Sequence, residues 1–230
     1  GLTYLTDFGL APYVSYAESF FPSIGSQAPQ RGASAFKPVE GEQYEAGVKY
    51  QPNDSSLLTL SVYQIKQKNV LTGDIEYPEY QLQEGEVRSR GVEFEGKTRV
   101  GQFEVIGAVA YLDSFYTKSN YGDKGNRNES QAPWTASTWV DYHFASNALA
   151  GLTVGGGARY TGKKYGDSGN TFKTPSFVVY DTTIRYDLGR VSPTLKGAEA
   201  SLNVQNLFDR EYVSACNYAF GCYYGQERTA

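Results

Sequence analysis

Connections in this 230-residue chain alternate between short and long, and no long one follows another. Short turns are read near Thr6–Gly9, Gln51–Ser55, Val100–Gln102, Ala145–Leu149 and Leu188–Lys196. Long polar loops rich in aromatics are read near Phe21–Gly41, Asn69–Gly85, Tyr116–Gln131, Tyr165–Thr174 and Asp209–Cys222. Between them lie nine β-like segments. An antiparallel meander with its short turns at one end and its long loops at the other is how an outer-membrane barrel is built. The asymmetry separates such a wall from a soluble β-sandwich, the competing all-β architecture.

Composition agrees with strands and turns: 20 Tyr, 12 Phe and 25 Gly stand against no Met at all. The missing initiator and a first segment that begins inside a strand (Gly1–Leu5) lead us to expect a piece of a longer protein. No signal peptide is visible, and a chain that starts mid-protein cannot show one. No run of about 18 apolar residues is present, which excludes transmembrane helices. A mean hydropathy of −0.48 does not exclude a membrane barrel, because only alternate residues of a strand face lipid. The net charge of −4 comes with no basic stripe, so nucleic acid is not an expected partner.

Side chains alternate across a strand, so parity assigns faces. Over Trp134–Phe144 one row reads Trp134, Ala136, Thr138, Val140, Tyr142, Phe144; the other reads Thr135, Ser137, Trp139, Asp141, His143. The first row is apolar with aromatics at both ends, the pattern of a lipid-facing stripe between two girdles. Tyr44, Ala46, Val48 and Tyr50 likewise oppose Gln43, Glu45 and Lys49, and Val178, Tyr180, Ile184 and Tyr186 oppose Asp181, Thr183 and Arg185. A sandwich alternates in the same way with its faces exchanged. The aromatic caps and the length of the segments favour the barrel. The inward row then carries charges of both signs, suited either to lining water or to bonding a domain inside the lumen.

Two local features stand out. On the hairpin around Asn69–Gly85 the outward rows place Lys66, Lys68, Arg88 and Arg90 just above the apolar band, where a cation costs about 0–1 kcal/mol. They suit lipopolysaccharide phosphates, or equally an ordinary solvated rim. Tyr63 and Ile65 break the parity there, so a bulge is able to reverse part of the row. The two cysteines, Cys216 and Cys222, fall in the last long loop. A disulfide formed in the periplasm would stiffen that loop by about 2–3 kcal/mol on the chain-entropy model; two free thiols are the other reading. The single histidine, His143, lies too far away in sequence to complete a zinc site with them.

Signatures of catalysis are missing: no His-Glu-x-x-His run, no Gly-x-Ser-x-Gly elbow and no phosphate-cradling loop. His143 with Asp141 and Ser137 reads as wall rather than hydrolase. Gly155–Gly157 reads as a bend or a close approach within a strand. Asp123–Glu129 lacks the spacing of a calcium loop and reads as solvated.

Several segments together resemble TonB-dependent ferric-siderophore receptors. They are Pro12-Tyr-Val-Ser-Tyr-Ala-Glu-Ser-Phe20, Gly41-Glu-Gln-Tyr-Glu-Ala-Gly-Val-Lys-Tyr50 and Gly85-Glu-Val-Arg-Ser-Arg-Gly-Val-Glu-Phe-Glu95. The most specific is Leu202-Asn-Val-Gln-Asn-Leu-Phe-Asp-Arg-Glu-Tyr-Val213, continuing through Cys216 and Cys222 to Tyr224-Gly-Gln-Glu-Arg228. The paired cysteines before the last strand resemble the ferrichrome and hydroxamate-type receptors most. The resemblance implies an all-β transmembrane barrel in the outer membrane of a Gram-negative bacterium. Residues 1–230 would supply about ten strands at the C-terminal end of a roughly 22-strand barrel, with the plug domain absent and the last strand incomplete. It also implies active import of a ferric siderophore, hydroxamate-type, by a monomer driven by TonB–ExbB–ExbD through the plug. Iron would travel inside its chelator, so no cofactor and no protein metal ligand are expected. A passive porin, or import of cobalamin or haem, are the alternatives. As a fragment lacking plug and closing strand, the chain is not expected to fold or transport alone.

A ferric hydroxamate is compact and weakly charged, with apolar faces and carbonyl groups, and tyrosines suit it by burying area while donating a hydrogen bond. The candidate contacts are Tyr116, Tyr165, Tyr218, Phe220, Tyr223 and Tyr224. Tyr121 is a further candidate, and Tyr77 and Tyr80 stand behind them.

Overall fold

The computed structural model describes residues 1–32, 34–120, 122–146, 149–217 and 221–230. Its strands are β1 (Leu2–Thr3), β2 (Leu10–Phe21), β3 (Val39–Asn53), β4 (Ser56–Gly73), β5 (Gln81–Val100), β6 (Phe103–Lys118) and β7 (Trp134–His143). There follow β8 (Leu152–Thr161), β9 (Lys164–Tyr165), β10 (Lys173–Thr174), β11 (Phe177–Asp187), β12 (Glu199–Val204), β13 (Val213–Asn217) and β14 (Gly221–Tyr224). Ten of them form one sheet in the order β1-β2-β3-β4-β5-β6-β7-β8-β11-β12, every neighbour antiparallel. The pairs β9/β10 and β13/β14 are separate small hairpins carried on the last two long loops. The sheet is a meander that does not close on itself within this chain.

The connections keep the expected alternation. Only residues 54–55 separate β3 from β4, and 101–102 separate β5 from β6. At the β1–β2 turn Gly9 has φ 83°, and a Cβ there would stand 2.1 Å from the Gln51 carbonyl oxygen, so the turn admits no side chain. Two details differ from the sequence reading. The sheet has the ten strands expected, the nine segments together with the one that opens the chain, but that first strand β1 is only two residues long. The expected loop over Asn69–Gly85 shrinks to 74–80, since β4 runs on to Gly73 and β5 starts at Gln81. Register shifts between Gln67 and Val70 and between Val70 and Thr72 break the alternation while the ladder continues.

Register settles the faces. Pro12, Val48, Leu60, Phe94, Val109, Ala136, Tyr160 and Val178 are successive cross-strand partners, an apolar row spanning eight strands. The neighbouring row reads Ala11, Lys49, Thr59, Glu95, Ala108, Ser137, Arg159, Val179. Leu60, Phe94 and Val109 are each almost half exposed, at 44–45 %. Among the described residues only Ala28, Val87, Val179 and Cys216 are buried apolar groups, so no second layer covers the sheet. An uncovered apolar face this broad is unstable in water and stable against lipid. Aromatic pairs bound it: Tyr16–Tyr44 and Tyr111–Trp134 toward the long loops (centroids 5.0 and 4.8 Å apart), and Phe103–Tyr142 and Tyr142–Phe144 toward the short turns (4.8 and 4.7 Å).

Candidate functional site

The long loops gather at one end of the wall, and hydrogen bonds to main-chain carbonyls lock three of them together. β13 and β14 pair Cys216 with Cys222, and the two are joined by a disulfide. Ser130 Oγ donates to the Cys216 carbonyl (3.2 Å), and the Ser130 amide donates to the Tyr165 carbonyl (2.9 Å). Lys164 Nζ donates to the Ser214 carbonyl, and burial pushes this ammonium below the ordinary lysine value. Asn126 Nδ2 reaches the Ser168 carbonyl at 2.8 Å, and Asn170 closes a reciprocal pair with the backbone of Arg127 (2.8 and 2.9 Å). Asp167 organises the tip of its own loop by accepting from the Thr171 amide and hydroxyl.

The tyrosine candidates divide on this scaffold. Tyr223 and Tyr224 are exposed on β14, and Tyr224 borders a cavity of about 390 Å³ with Asp209, Arg210, Glu211, Gly225 and Glu227. Tyr165 is half-buried under the Lys173 ammonium, 4.5 Å from its ring centre. Tyr116 is turned into its own loop, its hydroxyl donating to Glu129 at 2.9 Å, with Asn128 at 3.3 Å. Tyr121, Tyr218 and Phe220 lie outside the described residues.

A second locked unit joins loop 22–38 to the tip of the β4–β5 hairpin. The buried Asp74 carboxylate takes a two-pronged contact from Arg31 (2.6 and 3.1 Å) and accepts from the amides of Glu76 and Tyr77. The guanidinium holds this carboxyl below the ordinary carboxylate range, against the opposing pull of burial. Arg31 also stands 5.5 Å over the Tyr77 ring. Sequence reasoning missed this latch. An Asp opening a turn is the only local signal, and its partner lies 43 residues earlier.

Lys66, Arg88 and Arg90 keep their parity because the β4–β5 register is unbroken from Ser56 to Gln67, and Lys68 keeps it through its pairing with Glu40 in the unbroken part of the β3–β4 ladder. They are not free, however. Lys66 and Lys118 both approach Glu86 (3.3 Å each), Lys68 meets Glu42 (2.5 Å), and Arg90 meets Asp113 (3.0 Å). Arg88 stacks 4.7 Å from the Phe115 ring centre and leaves its Nε buried with no acceptor. Lys66, Lys68, Lys118 and Lys124 line one cleft of about 610 Å³ together with Glu84 and Glu86.

On the inward face, Asp141 accepts from the Trp139 indole (2.9 Å) and pairs with Arg185 (2.6 Å), while His143 Nδ1 lies 3.0 Å from the Thr153 hydroxyl. Asp141 and His143 are thus engaged separately and form no catalytic pair. No group of three or more His, Cys, Asp or Glu that could hold a metal occurs among the described residues. The Leu202–Val213 segment gains a physical reason. Asn206, buried with φ 50°, donates to the carbonyls of Arg210 and Gln226 (3.0 Å each) and accepts from the Arg210 amide (2.9 Å). It ties the exit of β12 to the end of the chain, where Thr229 bridges to Gln205.

The model of the family described as "TonB dependent receptor-like, beta-barrel" matches residues 1–207. The chain is 44% identical over 230 residues to the ferrichrome outer membrane transporter/phage receptor of Escherichia coli K12, covering 99% of the chain and 30% of that protein. It is 39% identical to the ferrioxamine B receptor of Salmonella typhimurium, covering 99% of the chain and 32% of that protein. Its fold matches the crystal structure of the siderophore receptor PiuA from Acinetobacter baumannii with a TM-score of 0.76 at 25% identity, over 98% of this chain and 33% of that one. The chain therefore spans about a third of the length of the relatives it matches.

Proposed function

This chain belongs to the TonB-dependent receptor β-barrels of the outer membrane, and from that premise we propose that it forms the C-terminal part of the wall of a ferric-siderophore importer. Members of the family bind and carry their ligand and are not enzymes. The observation that carries the proposal is the match across residues 1–207 on a sheet with one face built for lipid and the other lined with charge. A hydroxamate-type ligand is the reading best supported by the names of the two similar receptors. A disulfide-braced rim with Tyr223 and Tyr224 exposed suits the apolar faces and carbonyl groups of such a complex. Iron enters as cargo inside the chelator.

In this reading a plug fills the lumen and TonB–ExbB–ExbD supplies the energy, acting on a monomeric receptor. The test is uptake of iron-loaded ferrichrome and ferrioxamine B by cells whose only hydroxamate receptor is the one carrying this chain. Uptake should require TonB. Uptake that persists without TonB supports the passive-porin reading, and uptake of cobalamin or haem instead of either probe would reassign the substrate.

Lipopolysaccharide is the second partner in this proposal. The four-lysine cleft lies just outside the Tyr16–Tyr44 girdle, and outer-leaflet phosphates reaching it would be able to replace Glu86 and Glu42 as acceptors. Changing Lys66, Lys68, Arg88 and Arg90 together to Ser should lower the lipopolysaccharide that co-purifies with the receptor. Unchanged co-purification would reduce the cluster to an ion-paired rim.

A further inference from the structure

Part of the connection from β6 to β7 folds back onto the strand it leaves. The Tyr116 amide donates to the Asn126 carbonyl (3.0 Å), and the Gly125 amide donates to the Tyr116 carbonyl (2.8 Å). Asp123, expected from its sequence context to be solvated, is instead 9% exposed, and its Oδ1 is buried without a hydrogen bond. Asn120 Oδ1, three positions earlier, is a second buried oxygen without a donor. Turning that amide over would only move the fault, because its Nδ2 already donates to the Gly73 carbonyl at 2.9 Å.

Two carboxylates converge on the Tyr116 hydroxyl. Glu129 accepts from it at 2.9 Å, Asn128 Oδ1 stands 3.3 Å from it, and Asp123 is near enough to act on it electrostatically. Among the described residues neither Asp123 nor Glu129 forms an ion pair. The cations of the same loop are used elsewhere: Arg127 pairs with Asp113 (2.8 Å), and Lys124 lines the lysine cleft. A sheltered carboxylate without a counter-charge is costly, and a water filling the space would bring no charge to offset it.

We propose that this corner of the β6–β7 loop is a divalent-cation site, filled by calcium from the external medium, with Asp123, Glu129 and the side-chain oxygens of Asn120 and Asn128 as its ligands. Every one of these groups is a hard oxygen, and calcium accepts such a mixture of carboxylates and amide carbonyls, completing its shell with water. The ligands are gathered by the fold-back of the loop, which is why their spacing in sequence matches no calcium loop. The consequence is mechanical. Asn120 reaches Gly73 at the end of β4, while Asn126 and Ser130 reach Ser168 and Cys216. An ion held between them would join the β4–β5 hairpin to the three-loop rim, whatever the receptor imports.

The test titrates the whole receptor with calcium chloride in a calorimeter, after lipopolysaccharide, whose phosphates also bind calcium, has been removed. The parent should bind an ion with a dissociation constant of about 10⁻⁴–10⁻³ M, and Asp123→Asn should weaken that binding by about tenfold or more. Thermal unfolding gives a second readout. In chelator Asp123→Asn should unfold at the parent's temperature or above it, because the uncompensated charge is gone; added calcium should then raise the parent and leave the variant where it was. Glu129→Gln should repeat the pattern and guards against a folding fault peculiar to position 123. No calcium bound by the parent, or equal binding and equal thermal gain in parent and variants, overturns the site.

Discussion

Asn206→Ala should destabilise the barrel by about 2–4 kcal/mol, seen as a lower temperature for conversion of the compact band to the unfolded one on a detergent gel. The residue is 3% exposed, and its amide uses both kinds of group: it donates to the Arg210 and Gln226 carbonyls and accepts from the Arg210 amide. Alanine leaves those three main-chain groups short of partners in a place water reaches poorly, and each unpaired group costs about 1–3 kcal/mol. It also forces an unfavourable φ of 50°, which Asn tolerates better than most residues. Asn206→Gly separates the two effects, because it accepts the backbone angle and lacks the amide. A glycine variant as stable as the parent would show that conformation matters here and the hydrogen bonds do not.

Gly155→Val should cost about 2–4 kcal/mol, whereas Gly156→Val should be neutral or stabilising by up to about 1 kcal/mol. The two glycines are adjacent and face opposite sides. At Gly155 a Cβ would stand 2.1 Å from Asp141 Oδ1 and 2.8 Å from Thr183 Cγ2, so the carboxylate must leave both the Trp139 indole and Arg185. At Gly156 nothing comes nearer than 3.7 Å, the Asp181 carbonyl oxygen, and the side chain would face lipid, where a β-branched residue suits a strand. The same thermal shift on gels measures both variants. A reversed order, or equal effects, would mean that Trp139 is not seated as described.

Much of this wall could be read from the residues because period-two alternation and turn chemistry are local signals. The rows through Trp134–His143 and through Tyr44–Tyr50 needed nothing beyond parity. What escaped depends on pairing between distant segments. Asp74 finds Arg31 across 43 positions, and Asn126 reaches Ser168 across 42, with no pattern in either segment that announces the other. Gly155–Gly157 was legible as a place of close approach, but only the register names Trp139 as what approaches. The cations at Lys66, Lys68 and Arg90 share the row of the apolar side chains, and the carboxylates that neutralise them sit on neighbouring strands that parity within one strand does not reach. The extension of β4 to Gly73 was hidden because the chain stops alternating there while its backbone goes on pairing.

Apart from the Asn170 side-chain oxygen, the acceptors that join the three loops at the rim are main-chain carbonyls, those of Arg127, Tyr165, Ser168, Ser214 and Cys216. A carbonyl is present whatever side chain the residue carries. So long as the donor side chains of Asn126, Ser130, Lys164 and Asn170 are kept, the residues that supply the acceptors can change one by one without loosening the frame. The mouth of the wall keeps its shape while the side chains it displays are free to drift.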